Sequence, residues 1–148
     1  MNLKKALTKD TICLDLKGRS KTEIIEEMVD LLAAAGRIKN RKSALKAVLE
    51  REKKMSTGMQ NGIAIPHGKT DSVDSFAAAL ALHKDGVDFD ALDGQPAHIF
   101  VMTISPAKRT GPHIQFLAEI SRLLHDDAIR TRVLNAESSD DILNILRV

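Results

Sequence analysis

Two stretches of this chain, Phe76 to His83 and His98 to Ser105, are apolar at most of their positions. A strand exposed on one face alternates apolar and polar residues, whereas one that is apolar throughout is covered on both faces. These two runs therefore require helices on each side of a sheet. The rest of the chain supplies them: a strand and two helices come before, a short strand leads in, and three helices follow. The pattern predicts one α/β domain over residues 1–148, in the order strand, two helices, three strands, three helices.

Local signals punctuate that order. Thr11 to Leu16 reads as a short strand closed by Gly18. Ser20 and Glu23 form a capping box, and Ile24, Ile25, Met28, Leu31 and Leu32 follow at helical spacing. Gly36 is the expected stop. Asn40 caps a second helix carrying Ala44, Leu45, Val48 and Leu49, which fades near Lys54. A Gly-rich turn, Thr57 to Gly62, leads into a strand at Ile63 to Ile65 and a loop from Pro66 to Ser72. Asp85 to Pro96 connects the two apolar strands with little regular pattern. Gly111-Pro112-His113 opens a third helix with Phe116, Leu117, Ile120, Leu123 and Leu124 as its stripe. Asp126 or Asp127 caps a fourth, carrying Ile129, Val133 and Leu134. Ser138 and Asp141 resemble a capping box for a last one, with Ile142, Leu143, Ile145 and Leu146.

Composition narrows the function classes. Four Phe, no Trp and no Tyr leave few stacking platforms for single-stranded nucleic acid. A net charge of +2 is too small for a nucleic-acid or membrane footprint. Clusters such as Lys39-Asn40-Arg41-Lys42 have acidic neighbours and read as solvated helix faces. One cysteine, Cys13, excludes an internal disulfide. Met1-Asn2-Leu3-Lys4-Lys5 leads into no apolar signal core, and the longest apolar run, Phe76 to Leu82, is far below the roughly 20 residues that span a bilayer. A soluble, cytosolic protein without membrane insertion is expected.

The chemistry-bearing candidates are histidines. His125 ends a helix, where a cation suits the dipole. His83 ends a strand beside Lys84 and Asp85 and reads as solvent-exposed, and His98 reads as a strand-edge residue. His67 differs: it lies between Pro66, which fixes φ, and Gly68, which permits a tight backbone and leaves space beside the ring. It also follows an apolar strand on a loop held by a rigid element. His113 has two readings. It shares the helical face of Phe116, Leu117 and Ile120, as a core-edge residue does. It also sits in a first helical turn, whose free N–H groups favour an anion. No nucleotide-phosphate cradle, C-x-x-C pair, H-E-x-x-H motif, calcium loop or G-x-S-x-G elbow is present. Two histidines bind zinc only with further ligands that the sequence does not identify.

Arg51-Glu52, Ser56-Thr57 and Gly62-Ile63-Ala64-Ile65-Pro66-His67-Gly68 together resemble the active segment of the fructose/mannitol-type enzyme IIA of the bacterial phosphoenolpyruvate-dependent sugar phosphotransferase system. Val87 to Pro96 is similar to that family's connection between central strands. His113-Ile114-Gln115-Phe116-Leu117-Ala118 is similar to its second-histidine helix. The resemblance implies a three-layer α/β/α sandwich around a small mixed sheet. It implies that His67 becomes a phosphohistidine through Nε2, with His113 as a neighbouring histidine and Arg51 as a basic residue near the phosphate. It also brings in Thr57 as a hydroxyl donor. An alternative for Arg51 is a surface helix residue paired with Glu52 or a near neighbour. Neutral imidazole is a good nucleophile near pH 7, its reference pKa being about 6.5. Phosphoryl transfer mainly needs alignment and charge stabilisation, so no metal, nucleotide or other cofactor is required.

The partners implied by the resemblance are an HPr-type phosphocarrier as donor and an enzyme IIB as acceptor, with association with an enzyme IIC permease. The chain shows no IIB or membrane segment, so these are expected as separate proteins. The nitrogen-related branch of the family is the alternative, in which phosphorylation switches a regulatory binding module. Gly68 points slightly to the sugar branch, since regulatory members often carry Cys there. Further readings are a domain that keeps the fold and only binds partners, and the membrane-transporter domains that share this architecture. An apolar patch is expected around the His67 loop, with Met55 and Met59 in it; for both, the plain alternative is core filling.

Overall fold

The structure is a computed structural model that describes residues 6–146. Met1 to Lys5, the segment read above for a signal core, lies outside the described residues. A 3-10 turn at Lys9–Thr11 leads into β1 (Ile12–Cys13), followed by α1 (Lys21–Ala34) and α2 (Arg41–Lys54). Then come β2 (Ile63–Ala64), β3 (His67–Lys69), β4 (Ala77–Val87) and β5 (Ala97–Ser105). Three helices close the order: α3 (Gly111–Leu124), α4 (Asp127–Leu134) and α5 (Ser139–Leu146).

These strands form one mixed sheet. β4 and β5 are antiparallel at its centre, β1 adds parallel to β4, and β2 and β3 lie one after the other, parallel, along the free edge of β5. Strand alternation sorts the side chains into two cores. Ala77, Ala79, Ala81, Phe100, Met102 and Ile104 point to one side, where α1 and α2 bring Ile24, Met28, Leu32 and Val48. Ala78, Leu80, Leu82, Ile99 and Val101 point to the other, under Phe116, Ile120, Val133 and Ile142 of the last three helices. This is the expected three-layer α/β/α arrangement.

The helix ends follow the caps, with one regular shift. Ser20 Oγ accepts from Glu23 N, but the Glu23 carboxylate reaches Arg19 N rather than the cap's own N–H. Ser138 Oγ accepts from Asp141 N, and the Asp141 carboxylate likewise reaches back to Glu137 N. Of the two candidate caps for α4, Asp126 is the one used, accepting from Ala128 N and Ile129 N. Gly36 ends α1 at φ +73°, a left-handed turn glycine adopts freely.

Four local expectations change. The first strand is shorter than Thr11 to Leu16, because Thr11 closes the 3-10 turn and beyond Cys13 only Leu16 N returns to the sheet, donating to Leu82 O at 2.9 Å. Ile65 falls outside β2; its N–H donates instead to Thr57 O. The stretch from Pro66 to Ser72 is not all loop, since His67, Gly68 and Lys69 pair with Thr103, Ile104 and Ser105. The stretch from Asp85 to Pro96 continues β4 to Val87 through an irregularity at Gly86, φ +84°. It then buries Phe89 edge-on against Phe100, with ring centroids 5.5 Å apart. Full burial of a ring this size is worth roughly 1.5–3 kcal/mol, which anchors an otherwise irregular connection.

His83 is a further correction. It is 8% exposed rather than solvated. Gly86 N donates to its Nδ1 at 3.1 Å, so Nε2 carries the proton and donates to Gly18 O at 2.9 Å. His98, the second residue of β5, is half-buried and donates through Nδ1 to His83 O.

Candidate functional site: a histidine pair at the sheet edge

β3 decides where His67 points. His67 is the Cα partner of Thr103 in the parallel pair, so their side chains share one face of the sheet, the face that α3 covers. Gly68 faces the opposite way, onto α2. A Cβ there would stand 2.9 Å from Val48 N and 3.0 Å from Ala47 C. Glycine is thus required because the α2 backbone lies against β3, which differs from the space beside the ring read from sequence.

α3 brings the second histidine. Pro112 and His113 lie in its first turn, and the ring centroids of His67 and His113 are 5.2 Å apart, tilted by 40°. His113 is a buried member of the Phe116 and Ile120 face, and it stands beside His67 at a helix N-terminus. The His67 Nδ1 lies 2.9 Å from Ile65 O. A carbonyl only accepts, so Nδ1 carries the proton and Nε2 keeps its lone pair. His113 Nδ1 lies 2.9 Å from the buried Thr103 Oγ1.

Burial is the main cause that lowers the pKa of both rings. For His67 the Arg51 and Lys69 charges add to it, while the Ile65 carbonyl and Glu52 oppose. His113 falls to about 4, from burial first and then from His67 and Lys69. Both imidazoles are therefore neutral at pH 7, and the His67 Nε2 lone pair is available there without a base to deprotonate it.

The last turn of α2 carries Arg51 and Glu52. Arg51 does not pair with Glu52, and the near-neighbour alternative is the one that forms, on the carbonyl of Met55 four residues on. Arg51 Nη1 donates to Met55 O at 2.8 Å, and its charge acts on His67. Glu52 points inward, continuing the i, i+4 row of Ala44 and Val48. It is 7% exposed and pairs with Lys21 Nζ at 3.0 Å. It also accepts from Thr57 N at 2.8 Å and from the Thr57 hydroxyl. The Thr57 hydroxyl is thus given to Glu52 and is a poor candidate to donate to a phosphate. Sequence reasoning missed Glu52, Lys69 and Thr103. The row from Ala44 through Val48 to Glu52 was the available signal for the first. Polar residues inside the otherwise apolar β5 run were the signal for Thr103.

Met55 is 70% and Met59 42% exposed, with Ile114 also outward, so neither methionine fills the core. A groove of about 320 Å³ is lined by Met59, Ile63, Ile65, Leu92, Ile120 and Leu124. Among the described residues, no group of three or more His, Cys, Asp or Glu is placed to hold a metal ion. No helix among them is long and apolar enough to cross a membrane.

Residues 5–148 match the family model for the phosphoenolpyruvate-dependent sugar phosphotransferase system, EIIA 2. The chain belongs to this EIIA family. It is 42% identical over 146 residues to the PTS system fructose-specific EIIABC component of Bacillus subtilis; the match covers 99% of this chain and 23% of that longer protein. It is 39% identical to the PTS system fructose-specific EIIA component of Haloferax volcanii, covering 93% and 89%. Solved EIIA structures share the fold. Nitrogen regulatory protein IIA-Ntr from Neisseria meningitidis superposes with a TM-score of 0.86 at 29% identity, covering 97% and 98%. The complex of enzyme IIA mannitol and phosphorylated enzyme IIB mannitol from Escherichia coli gives 0.82 at 26%, covering 95% and 96%.

Proposed function

We propose that residues 1–148 act as one EIIA unit in the cytoplasm, a protein-histidine phosphotransferase component whose carrier atom is His67 Nε2. The observation that carries this reading is the Nδ1–H bond to Ile65 O, which leaves Nε2 as the neutral nucleophilic nitrogen. The donor is a phosphorylated HPr-type carrier. The Nε2 lone pair forms a bond to phosphorus as the donor's N–P bond breaks, and that electron pair stays with the donor imidazole. The Nδ1 proton remains on His67, where the Ile65 carbonyl stabilises the positive charge that develops on the ring. Arg51 and His113 stabilise the phosphoryl oxygens, Arg51 as a charge and His113 as a neutral neighbour. The acceptor is an enzyme IIB, as in the mannitol complex, with an enzyme IIC permease completing uptake of a fructose- or mannitol-type sugar. The exposed methionines and the groove beside Ile65 supply an apolar docking surface.

The overall likeness to nitrogen regulatory protein IIA-Ntr favours a second reading, in which the phosphorylated state of His67 controls binding to regulatory partners.

The test is labelling by Enzyme I, HPr and phosphoenolpyruvate, with an enzyme IIB added in a second step. Acid-labile label on the wild type, none on His67→Ala, and discharge onto IIB are expected. Label persisting on His67→Ala overturns the assignment of the carrier. Label that stays on His67 when IIB is added favours the regulatory reading.

A further inference from the structure

The hydroxyl of Thr103 has one partner among the described residues, His113 Nδ1 at 2.9 Å, and both residues are buried. Two arrangements fit that distance. In one, Nδ1 carries the proton and donates to Oγ1. The threonine proton then has no acceptor in a buried place, and a buried donor left unpaired is costly. In the other, Thr103 donates to Nδ1 and only oxygen lone pairs go unused, which costs less. The second arrangement puts the His113 proton on Nε2.

Resting on the carrier reading of His67, we propose that Thr103 is a positioning residue that holds His113 as its Nε2–H tautomer, making a neutral imidazole a fixed hydrogen-bond donor to the phosphoryl group. The fold explains why this falls to a threonine. Thr103 is the Cα partner of His67 in the sheet and bonds to His113 from α3, so one β5 residue is tied to both rings, through the backbone on one side and through its hydroxyl on the other. With Nδ1 protonated instead, His113 would offer a bare lone pair at Nε2, which repels phosphoryl oxygens. The low basicity of His113, set by burial first and then by His67 and Lys69, agrees with this, since it keeps the ring neutral. The ring donates through its tautomer rather than through a charge. A carboxylate in place of Thr103 would fix the opposite tautomer, because it only accepts.

Two substitutions separate this role from packing. Thr103→Val keeps the β-branched shape and removes the hydroxyl; Thr103→Ser keeps the hydroxyl. The ¹⁵N shifts of the His113 ring, read in the unphosphorylated protein, are expected to show Nε2–H in the wild type and in Thr103→Ser. In Thr103→Val they should show a mixture or Nδ1–H. Transfer from phosphorylated HPr to His67 should fall about 10- to 100-fold in Thr103→Val, below the full effect of removing a transition-state donor because the productive tautomer is still sampled. Thr103→Ser should recover to within a few fold. A wild type with Nδ1–H, a Thr103→Val variant that transfers at the wild-type rate, or a Thr103→Ser variant as slow as Thr103→Val overturns the proposal. Because the tautomer is read without phosphate, a protein that takes no label but holds Nε2–H overturns the carrier reading and sustains the tautomer assignment.

Discussion

The depressed basicity of His113 makes the stability of this protein depend on pH in a way that can be isolated. The folded ring takes a proton only near pH 4, whereas the unfolded chain takes it near the ordinary value of 6.5. Above 6.5 both states are neutral and His113 contributes nothing. Between 6.5 and about 4 the unfolded chain binds more protons, so stability falls as pH falls; below about 4 the penalty is constant. At roughly 1.4 kcal/mol per pKa unit, the penalty is about 1 kcal/mol near pH 5.5 and about 2–3 kcal/mol near pH 4.5. His67 is lowered too, by burial first, and acts in the same direction.

Carboxylates also titrate near pH 4.5, so the wild type alone does not resolve the contribution. His113→Gln does, because the amide cannot charge. Urea midpoints of both proteins would be measured at about pH 7.5 and about pH 4.5. The wild type should lose about 2–3 kcal/mol more than the variant across that interval, a difference of about 1 M or more in midpoint at an m-value of 1–3 kcal/mol per molar. Equal losses would refute the reasoning, as would an NMR titration in which the His113 ring protonates with a midpoint at 6 or above.

Two further substitutions probe the support under the site. Glu52→Ala leaves the buried Thr57 N–H and hydroxyl without their acceptor and takes from Lys21 one of its two carboxylates, Asp90 being the other. It should cost about 3 kcal/mol in chemical denaturation and speed hydrogen exchange at Thr57 and Gly58; a loss under about 1 kcal/mol contradicts the buried network. Gly68→Ala puts a methyl 2.9 Å from Val48 N and should push α2 off β3. The expected cost is about 1–3 kcal/mol with slower labelling of His67, and a variant as stable as the wild type shows that α2 yields freely.

The fold was legible where the signal is periodic or covalent. Apolar runs two-sided enough to demand both helical layers, and caps such as Asn40 and Asp126, are local facts of the chain. His67 stood out in the sequence because Pro66 and Gly68 flank it and because the segment resembles that of a known family. What escaped is set by partners distant in sequence. The strand at His67–Lys69 has almost no hydrophobic pattern, and it exists because β5 offers it an edge. Glu52 stands in a charged run beside Lys53 and Lys54, yet the helical row from Ala44 places it inside, where it pairs with Lys21, 31 residues earlier. His83 looked exposed beside Lys84 and Asp85, but its ring turns back to Gly18, 65 residues away.

The same distinction of near and distant partners governs the two functional rings. His67 is oriented by Ile65, two residues earlier in the link before β3, so an arrangement that keeps the Nδ1 bond to Ile65 O leaves Nε2 without a proton in the neutral ring. His113 is oriented by Thr103 across the β5–α3 junction, so its state depends on how Phe116 and Ile120 seat α3 on the sheet. One ring fixed locally and the other fixed by tertiary packing respond differently to pressure on α3. On the proposed carrier reading, a docking protein that pressed on α3, through the exposed Ile114 or the groove beside Ile120 and Leu124, would bear on the His113–Thr103 contact and not on the Ile65–His67 one. The expectation on that reading is that substitutions at Ile114 alter the rate of transfer to an acceptor more than the labelling of His67, and equal effects on both steps would refute it.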